Sequence, residues 1–540
     1  MERAEGGALK TTEDVSPDWI RWMLPSIGDA IFLIIFLFLV INGKGLLADA
    51  DTGWHIGIGR YILETWSIPK TGIYSYTAAN MPWMAHEWLT ELIFAWIHDA
   101  AGLNGIVFTT ALIIAITHYL FFKFLVSRGV DTVLSLILTI FVITVTSVHW
   151  LARPHILSML ITLVWYMALE AYRVEGKRYL YLLPLIMVLW VNLHGGFMAG
   201  LLLIAVYWLG SVLDFLIPKD SEDKEKGKKD ILLYGKVGFL SICASLLNPH
   251  GYKTLLFPFQ IMGQKLNVDR ISEWLSPDFH EVLPYEYMLL TLVVILGFSK
   301  FKLSFIEAGL VILWTHLSLH SVRYGPLFAI IVTPILAVRL EGLMKDGREA
   351  GNRLLSRIYD FSERIGMTSG SVKGHAIPII AVILAAAVTV NSGRIFGMPL
   401  LDYRFDKKKL PVDAVEFAEK NGIKGRIFNT YHFGGYLIYR GFPKEGVFVD
   451  GRADMYNEFL KNYYNVVDIK QEWKDVLKKF DIDWMLITAN SSLSVLLLET
   501  DEWRLTYADK VANIFVRKGS LNEMLIDKYK DVKLVPAEEE

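Results

Sequence analysis

The sequence predicts a polytopic α-helical membrane protein of eleven spans with an extracytoplasmic C-terminal α/β domain. Three observations predict it. Of 540 residues, 53% are hydrophobic and 20% charged, with a mean hydropathy of +0.37, and the apolar excess is gathered in runs of membrane length. Basic residues collect in alternate connections between those runs. After about residue 393 the long runs stop, and short β-rich segments alternate with helical ones. A formal net charge of −2 leaves no global basic excess and argues against nucleic acid as a partner. The single cysteine, Cys243, excludes an internal disulfide framework and a cysteine-based metal site.

The chain opens with "MERAEGGALKTTEDVSPDWIRWMLPS", acidic as well as basic, which reads as a cytoplasmic segment 1–26 and not as a cleavable signal. The spans then fall at 27–47, 104–126, 132–150, 155–172, 179–194, 196–217, 231–247, 286–299, 303–319, 325–341 and 376–392. Together with a large first loop, 48–103, they form a membrane domain over 27–392. The connections "RVEGKR", "PKDSEDKEKGKKD", "SKFK" and "EGLMKDGREAGNRLLSRIYDFSERIG" are rich in Lys and Arg and read as cytoplasmic, solvated loops. The alternate connections then lie outside. Eleven is odd, so residues 393–540 are expected outside as well.

That sorting puts the unusual polar residues on one face: Asp49, Asp51, His55, His86, Glu87, Arg153, His155, Asn192, His194, Asn248, His250, Glu273, His320 and Arg323. Ionisable groups at membrane depth are costly and are functional candidates by default. In the first loop, "DTGWHIGIGRYILETWSI" places Trp54, Ile58, Tyr61 and Ile62 on one helical face and reads as a helix lying in the interface. "HEWLTELIFAWIHDAAG" is a second amphipathic helix leading into the next span. "LARPHIL" carries Arg153 and His155 in a short turn. "WVNLHGGFMAG" and "LLNPHGYKTLLFPF" break apolar sequence with Asn192, His194, Asn248 and His250, which is tolerated in a membrane only where protein or a polar cavity surrounds the break. His316 and His320 stand four apart, a spacing that suits two metal ligands but brings no third.

In the C-terminal region "GRIFNTYHFGGYLIYR", "GVFVDGRADMY", "IDWMLITAN" and "ANIFVRK" read as strands, and "PVDAVEFAEKNG" and "QEWKDVLKKF" as helices. Gly434-Gly435 begins no phosphate loop, since no Gly-x-x-x-x-Gly-Lys follows, and there is no dinucleotide fingerprint. The tail "VPAEEE" reads as unstructured.

A first outer loop with acids directly after the first span, then amphipathic helices, many spans and an extracytoplasmic domain, resembles the GT-C superfamily of membrane glycosyltransferases that use polyprenyl-phosphate sugars. "DADTGWHIGIGRYILE", "IPKTGIYSYTAANMPWMAHEWLTELIF", "ARPHI", "NLHGGF", "NPHGY", "ISEWLSPDF", "RYGPLFAI", "YHFGGYLI" and "VFVDGRADMY" are similar to a largely uncharacterised prokaryotic family of GT-C-like membrane proteins, over almost the whole chain. The resemblance implies an enzyme of the cell membrane with its working face outside, a polyprenyl-phosphate sugar as donor, and a glycan, lipid or protein as acceptor. Asp49, Asp51, His86 and Glu87 become the catalytic candidates, and the other ten polar residues the substrate-binding ones. "Asp-Ala-Asp" departs from the Asp-Glu pair of the mannosyl- and aminoarabinosyltransferases, so either Asp49 or Asp51 is the base. On an extended stretch the two carboxylates sit about 6–7 Å apart on one side, which also suits a shared Mg or Mn ion. The rival classes are a transporter or lipid flippase, which places ionisable groups near mid-span and often shows repeats, and a non-catalytic scaffold with a GT-C body.

Overall fold

The structure, a computed structural model, describes residues 18–536 apart from 219, 282, 301 and 373. Most of the expected N-terminal segment, residues 1–17, and the end of the tail, 537–540, lie outside the described residues.

All eleven expected spans are helical. Among the described residues six helices are long and apolar enough to cross a membrane, and they include Ile27–Leu47, Thr132–His149, His155–Glu175, Gly195–Leu216 and Val322–Glu349. Arg178–Leu193, Pro284–Phe298, Phe305–His320 and Ala376–Val390 are apolar but shorter. The expected span 231–247 is the second half of a helix, Ser221–Ser245, that begins in the charged "SEDKEKGKKD". The sixth long helix, Trp88–Ser127, is broken at Ala101 and Gly102, where Gly102 takes a φ of 60°. Its first half is the amphipathic helix expected from "HEWLTELIFAWIHDAAG". Helix starts follow local chemistry: Ser26 with Asp29, and Ser304 with Glu307, form capping boxes.

Two findings in the membrane domain correct the sequence reading. The connection "NRLLSRIYDFSERIG", expected as a solvated loop, is a helix, Arg353–Ser371. Leu354 and Phe361 stay exposed on one of its faces, the pattern of a helix lying on a membrane surface. The helix Asp51–Thr65, expected to lie in the interface, is instead buried: Trp54, Ile56, Ile58 and Ile62 all belong to the core. Its glycines allow this. A Cβ on Gly53 would sit 2.4 Å from the Gly435 carbonyl oxygen, and one on Gly59 would sit 1.9 Å from the Glu91 carbonyl oxygen. The helix is therefore clasped between the Trp88 helix on one side and the C-terminal residues on the other.

That clasp is steric, so it has a measurable consequence. Gly59→Ala is expected to destabilise the full chain by about 1–3 kcal/mol through overpacking. Gly45→Ala, where a Cβ meets nothing within 4 Å, is the control. Thermal unfolding in detergent checks it, and equal midpoints for the two variants would refute the clasp.

The C-terminal residues build a four-stranded sheet from β1 (Ile427–Asn429), β2 (Trp484–Thr488), β3 (Trp503–Ala508) and β4 (Ala512–Arg517). The order is β1-β2-β4-β3, with β1 and β2 parallel and the other pairs antiparallel. Val412–Lys420 and Trp473–Lys479 are helices as expected. "YHFGGYLIYR" is not a strand: it turns into a helix, Gly434–Arg440, because its glycines let the backbone press against Val449 and Ala50. "GVFVDGRADMY" ends in a short helix, Ala453–Tyr456. β3 was missed, its "WRLTYA" hidden by interspersed polar residues.

The first loop and the C-terminal residues share one hydrophobic core, which also takes in the first span. Tyr403 ties the end of that span, donating to the Val40 carbonyl oxygen at 2.5 Å and accepting from Gly43 N at 3.1 Å. A second core joins the later helices, with Trp165, Trp190 and Trp314 fully buried.

Candidate active site

Asp49 and Asp51 do not lie on an extended stretch. The first span ends in a short turn, Gly43–Leu47, and a helix starts at Asp51. The Asp49 carboxylate caps that start by accepting from the Asp51 amide at 2.8 Å. The Arg153 turn is pinned to the same stretch: Ala152 N donates to the Leu46 carbonyl oxygen at 2.9 Å, and Thr52 Oγ1 to the Ala152 carbonyl oxygen at 2.9 Å.

The pinning brings Arg153 between the acids. Its guanidinium donates to Asp49 at 2.9 Å and to Glu273 at 2.6 Å and forms an ion pair with Asp51 at 3.0 Å. Glu273 comes from a distant loop, and its other oxygen receives Arg323 at 3.2 Å. Arg323 stacks on Trp274, 4.4 Å from the ring centre. Five residues from four segments thus make one cluster of three carboxylates and two guanidiniums. Burial, followed by the Asp49 charge, pushes the Asp51 carboxyl up to about 7, against the opposing pull of Arg153. Arg153 and Arg323 together hold Glu273 well below the usual range in spite of its burial.

The floor under Asp51 comes from the C-terminal domain. A Cβ on Gly451 would sit 1.9 Å from Asp51 Oδ1, and the Gly451 carbonyl oxygen accepts from the Tyr431 hydroxyl at 3.0 Å. The flanking Asp450 and Arg452 form a fully buried ion pair at 2.7 Å, and Arg452 lies 4.8 Å from the centre of the Trp83 ring.

A second cluster lies one helical turn along, at His55. Glu87 is its centre, with His194 Nε2 at 3.3 Å, His86 Nε2 at 3.5 Å and His55 Nε2 at 3.8 Å. Glu91 approaches the other ring nitrogen of His55 at 3.6 Å. His194 Nδ1 accepts from Gly196 N at 2.9 Å, a group that can only donate, and therefore accepts from Ser158 Oγ at 2.7 Å as well, while Ser158 receives the Trp190 indole N–H. That assigns the His194 proton to Nε2, facing Glu87. Burial lowers the His86 imidazole, but Glu87 beside it outweighs burial and lifts it to about 9. His86 and Glu87 are therefore an ion pair at neutral pH. Burial holds His55 neutral, down to about 3.

The remaining expected residues sit outside these clusters. Asn192 accepts from the Trp88 indole and donates to Val188 and Leu247 carbonyls. Asn248 ties its own turn through His250 N, Thr254 and Gly251. Both use their polar atoms within the chain. His250 reaches the Ala85 carbonyl at 3.3 Å, and His155 the His149 carbonyl at 2.6 Å. His316 and His320 stack on one another. Among the described residues no group of three or more His, Cys, Asp and Glu is arranged to hold a metal ion.

Sequence reasoning missed Glu91, Ser158, Trp274, Asp450, Arg452 and Asp454. A signal existed for the last three: "DGRAD" puts three ionisable groups into five residues between apolar runs. Asp454 accepts the Trp83 indole N–H at 3.1 Å, linking that run to the first loop.

The architecture has solved counterparts. The oligosaccharyltransferase of Archaeoglobus fulgidus in its apo form superposes over 92% of this chain and 74% of its own, with a TM-score of 0.50 and 11% identity. The archaeal oligosaccharyltransferase AglB from the same organism, in complex with an inhibitory peptide and a dolichol-phosphate, covers 86% and 69%, with a TM-score of 0.52 and 11% identity. The chain has the GT-C fold. No protein-family model and no curated protein matches the sequence. Within that GT-C fold both clusters gather at one end of the helices. A separate buried network, Glu170 with Arg128 at 3.0 Å and Arg173 at 2.6 Å, holds the other. The 21-residue helix His155–Glu175 separates the two ends by about 30 Å.

Proposed function

We propose that the chain is a GT-C-type glycosyltransferase of the cell membrane. It moves a sugar from a polyprenyl-phosphate-linked donor to an acceptor hydroxyl on the extracytoplasmic face, with Asp51 as general base. The observation that carries this reading is the part-buried, raised Asp51 carboxylate held 3.0 Å from Arg153 at one end of a GT-C fold. The dolichol-phosphate in the AglB complex supports the donor class.

In the reaction, the acceptor O–H gives its proton to Asp51 while its oxygen forms a bond to the anomeric carbon. The bond from that carbon to the phosphate oxygen breaks, and its electron pair leaves with the lipid phosphate. Arg153 and Arg323 supply positive charge where the phosphate charge grows. A raised carboxyl suits a base working near neutral pH. Asp49 positions both Asp51 and Arg153. A mostly apolar groove of about 690 Å³, lined by Trp88, Leu89, Leu185 and Leu189 together with Asn192 and Asn248, is where the lipid chain would lie, its Trp88 next to Glu87. Transport is not favoured, because the ionisable clusters gather at helix ends and not at mid-span.

The test uses the purified full chain with labelled polyprenyl-phosphate sugars and membranes containing native acceptors. Label should leave the lipid and appear on an acceptor. Retention of all label on lipid across donors would sink the reading. Protease should reach residues 393–540 only from outside, and cleavage from the cytoplasmic side would overturn the orientation. Gly451→Ala is expected to lower the transfer rate on the order of 10²-fold by displacing Asp51, with sheet stability unchanged. An unaltered rate would separate Gly451 from the site.

A further inference from the structure

We infer that Arg153 takes the place of a divalent cation in this site, so that transfer by this chain proceeds without a metal ion. The inference rests on the proposed transferase reading and deepens it. Asp49 and Asp51, joined by an acid from a remote loop, are the donor set that a Mg or Mn ion asks for: hard carboxylate oxygens converging from separate segments. In this chain that set is already filled. Asp49, Asp51 and Glu273 point an oxygen at one guanidinium, at 2.9, 3.0 and 2.6 Å. A divalent ion held at about 2.1 Å from its oxygens needs the space the guanidinium occupies.

The guanidinium is not free to step aside. Its turn is fastened by Ala152 N to Leu46 and by Thr52 to Ala152, which is the same backbone that carries the two aspartates. Eviction would also leave a part-buried guanidinium and three carboxylates without their partners. Charge points the same way. Three carboxylates face Arg153 and Arg323, leaving one net negative charge. A divalent ion added to both arginines would reverse that balance, and one replacing Arg153 would have to break three ion pairs first. Arg153 differs from a metal in one useful respect: its planar fork fixes the direction of each carboxylate. Asp49 and Glu273 become positioning residues for Arg153, and Arg153 for the oxygen of Asp51.

The experiment measures Mn²⁺ binding to the purified full chain by electron paramagnetic resonance, alongside transfer with EDTA or with added Mn²⁺ or Mg²⁺. The wild-type chain should bind no Mn²⁺ at this site and transfer equally under all conditions. Arg153→Ala removes the resident cation and should bind one Mn²⁺, which the additional change Glu273→Gln should abolish. Its transfer should fall at least tenfold and recover in part on adding guanidinium. One Mn²⁺ bound by wild type and lost in Asp49→Asn, or a tenfold loss of transfer in EDTA reversed by Mn²⁺, would overturn the inference. So would a folded Arg153→Ala that takes up no Mn²⁺. If Arg153→Ala does not fold, the wild-type measurements decide alone. A chain that transfers nothing under any metal condition defeats the transferase reading, while Mn²⁺ binding still decides the place of Arg153.

Discussion

Asp51→Asn is expected to lower the transfer rate by about 10²–10⁴-fold, the usual worth of a general base, without unfolding the chain. The two aspartates make a controlled comparison because they share Arg153 and differ in depth. Asp51 is deeper, with its side chain 17% exposed against 24% for Asp49, and Gly451 closes over it. Its carboxyl is pushed up to about 7 by burial and by Asp49. The base must be ionised to accept a proton, so wild-type transfer should fall as pH drops through about 7. In Asp51→Asn that inflection should vanish along with most of the rate. Asp49→Asn keeps the base but loses one charged hydrogen bond to Arg153 and weakens the cap on Asp51 N. Such a bond is worth about 1.5–3 kcal/mol, so the loss should be roughly 10–100-fold, with the inflection moved to lower pH because the like charge is gone. Equal rates and an unchanged pH profile in Asp51→Asn would show that another group takes the proton.

The helices and the gathering of ionisable residues at one end of them were legible for a physical reason. A membrane demands long apolar runs, so each span announces itself, and a polar residue at a run's end stands out against it. Asp49, Asp51, Arg153, Glu273 and Arg323 were singled out that way and do converge. What was not legible is which of them meet. The separation between Asp49 and Arg153 is set by the hydrogen bonds of Ala152 and Thr52, and nothing in "LARPHIL" encodes that partner. The helix Asp51–Thr65 was misplaced for a related reason. Trp54, Ile58 and Ile62 do form an apolar stripe, but Gly53, Gly57 and Gly59 matter more. They mark close backbone approach, which a hydropathy pattern does not see. Asn192 and Asn248 were polar breaks in apolar sequence, yet their amides tie the chain to itself. A buried amide satisfied by backbone looks, in sequence, the same as one waiting for substrate.

Glu87→Gln carries the largest expected cost in stability. Glu87 is the one anion set among three imidazoles, and its side chain is 11% exposed. With Gln in its place the His86 cation loses its nearest counter-ion and keeps only the weaker pull of Asp454. It must either stay charged in a buried site or lose its proton, and both reduce the stability of the folded state. Breaking one partner of a buried pair costs about 3–5 kcal/mol, and the low end applies here because Gln keeps an acceptor. The sign with pH follows from His86. Its folded value is raised from 6.5 to about 9, so its contribution is full below pH 6.5 and is lost as pH rises through about 9. Wild-type unfolding in detergent should show that decline, and in Glu87→Gln it should shrink, since burial is then opposed only by the weaker pulls of Asp454 and the Met84 carbonyl. The double variant His86→Gln with Glu87→Gln should be less destabilised than the two single losses added together, because neither charge is left alone. Additive losses would mean that His86 and Glu87 do not interact, and the second cluster would then not be the anchor of the helix that presents Asp51.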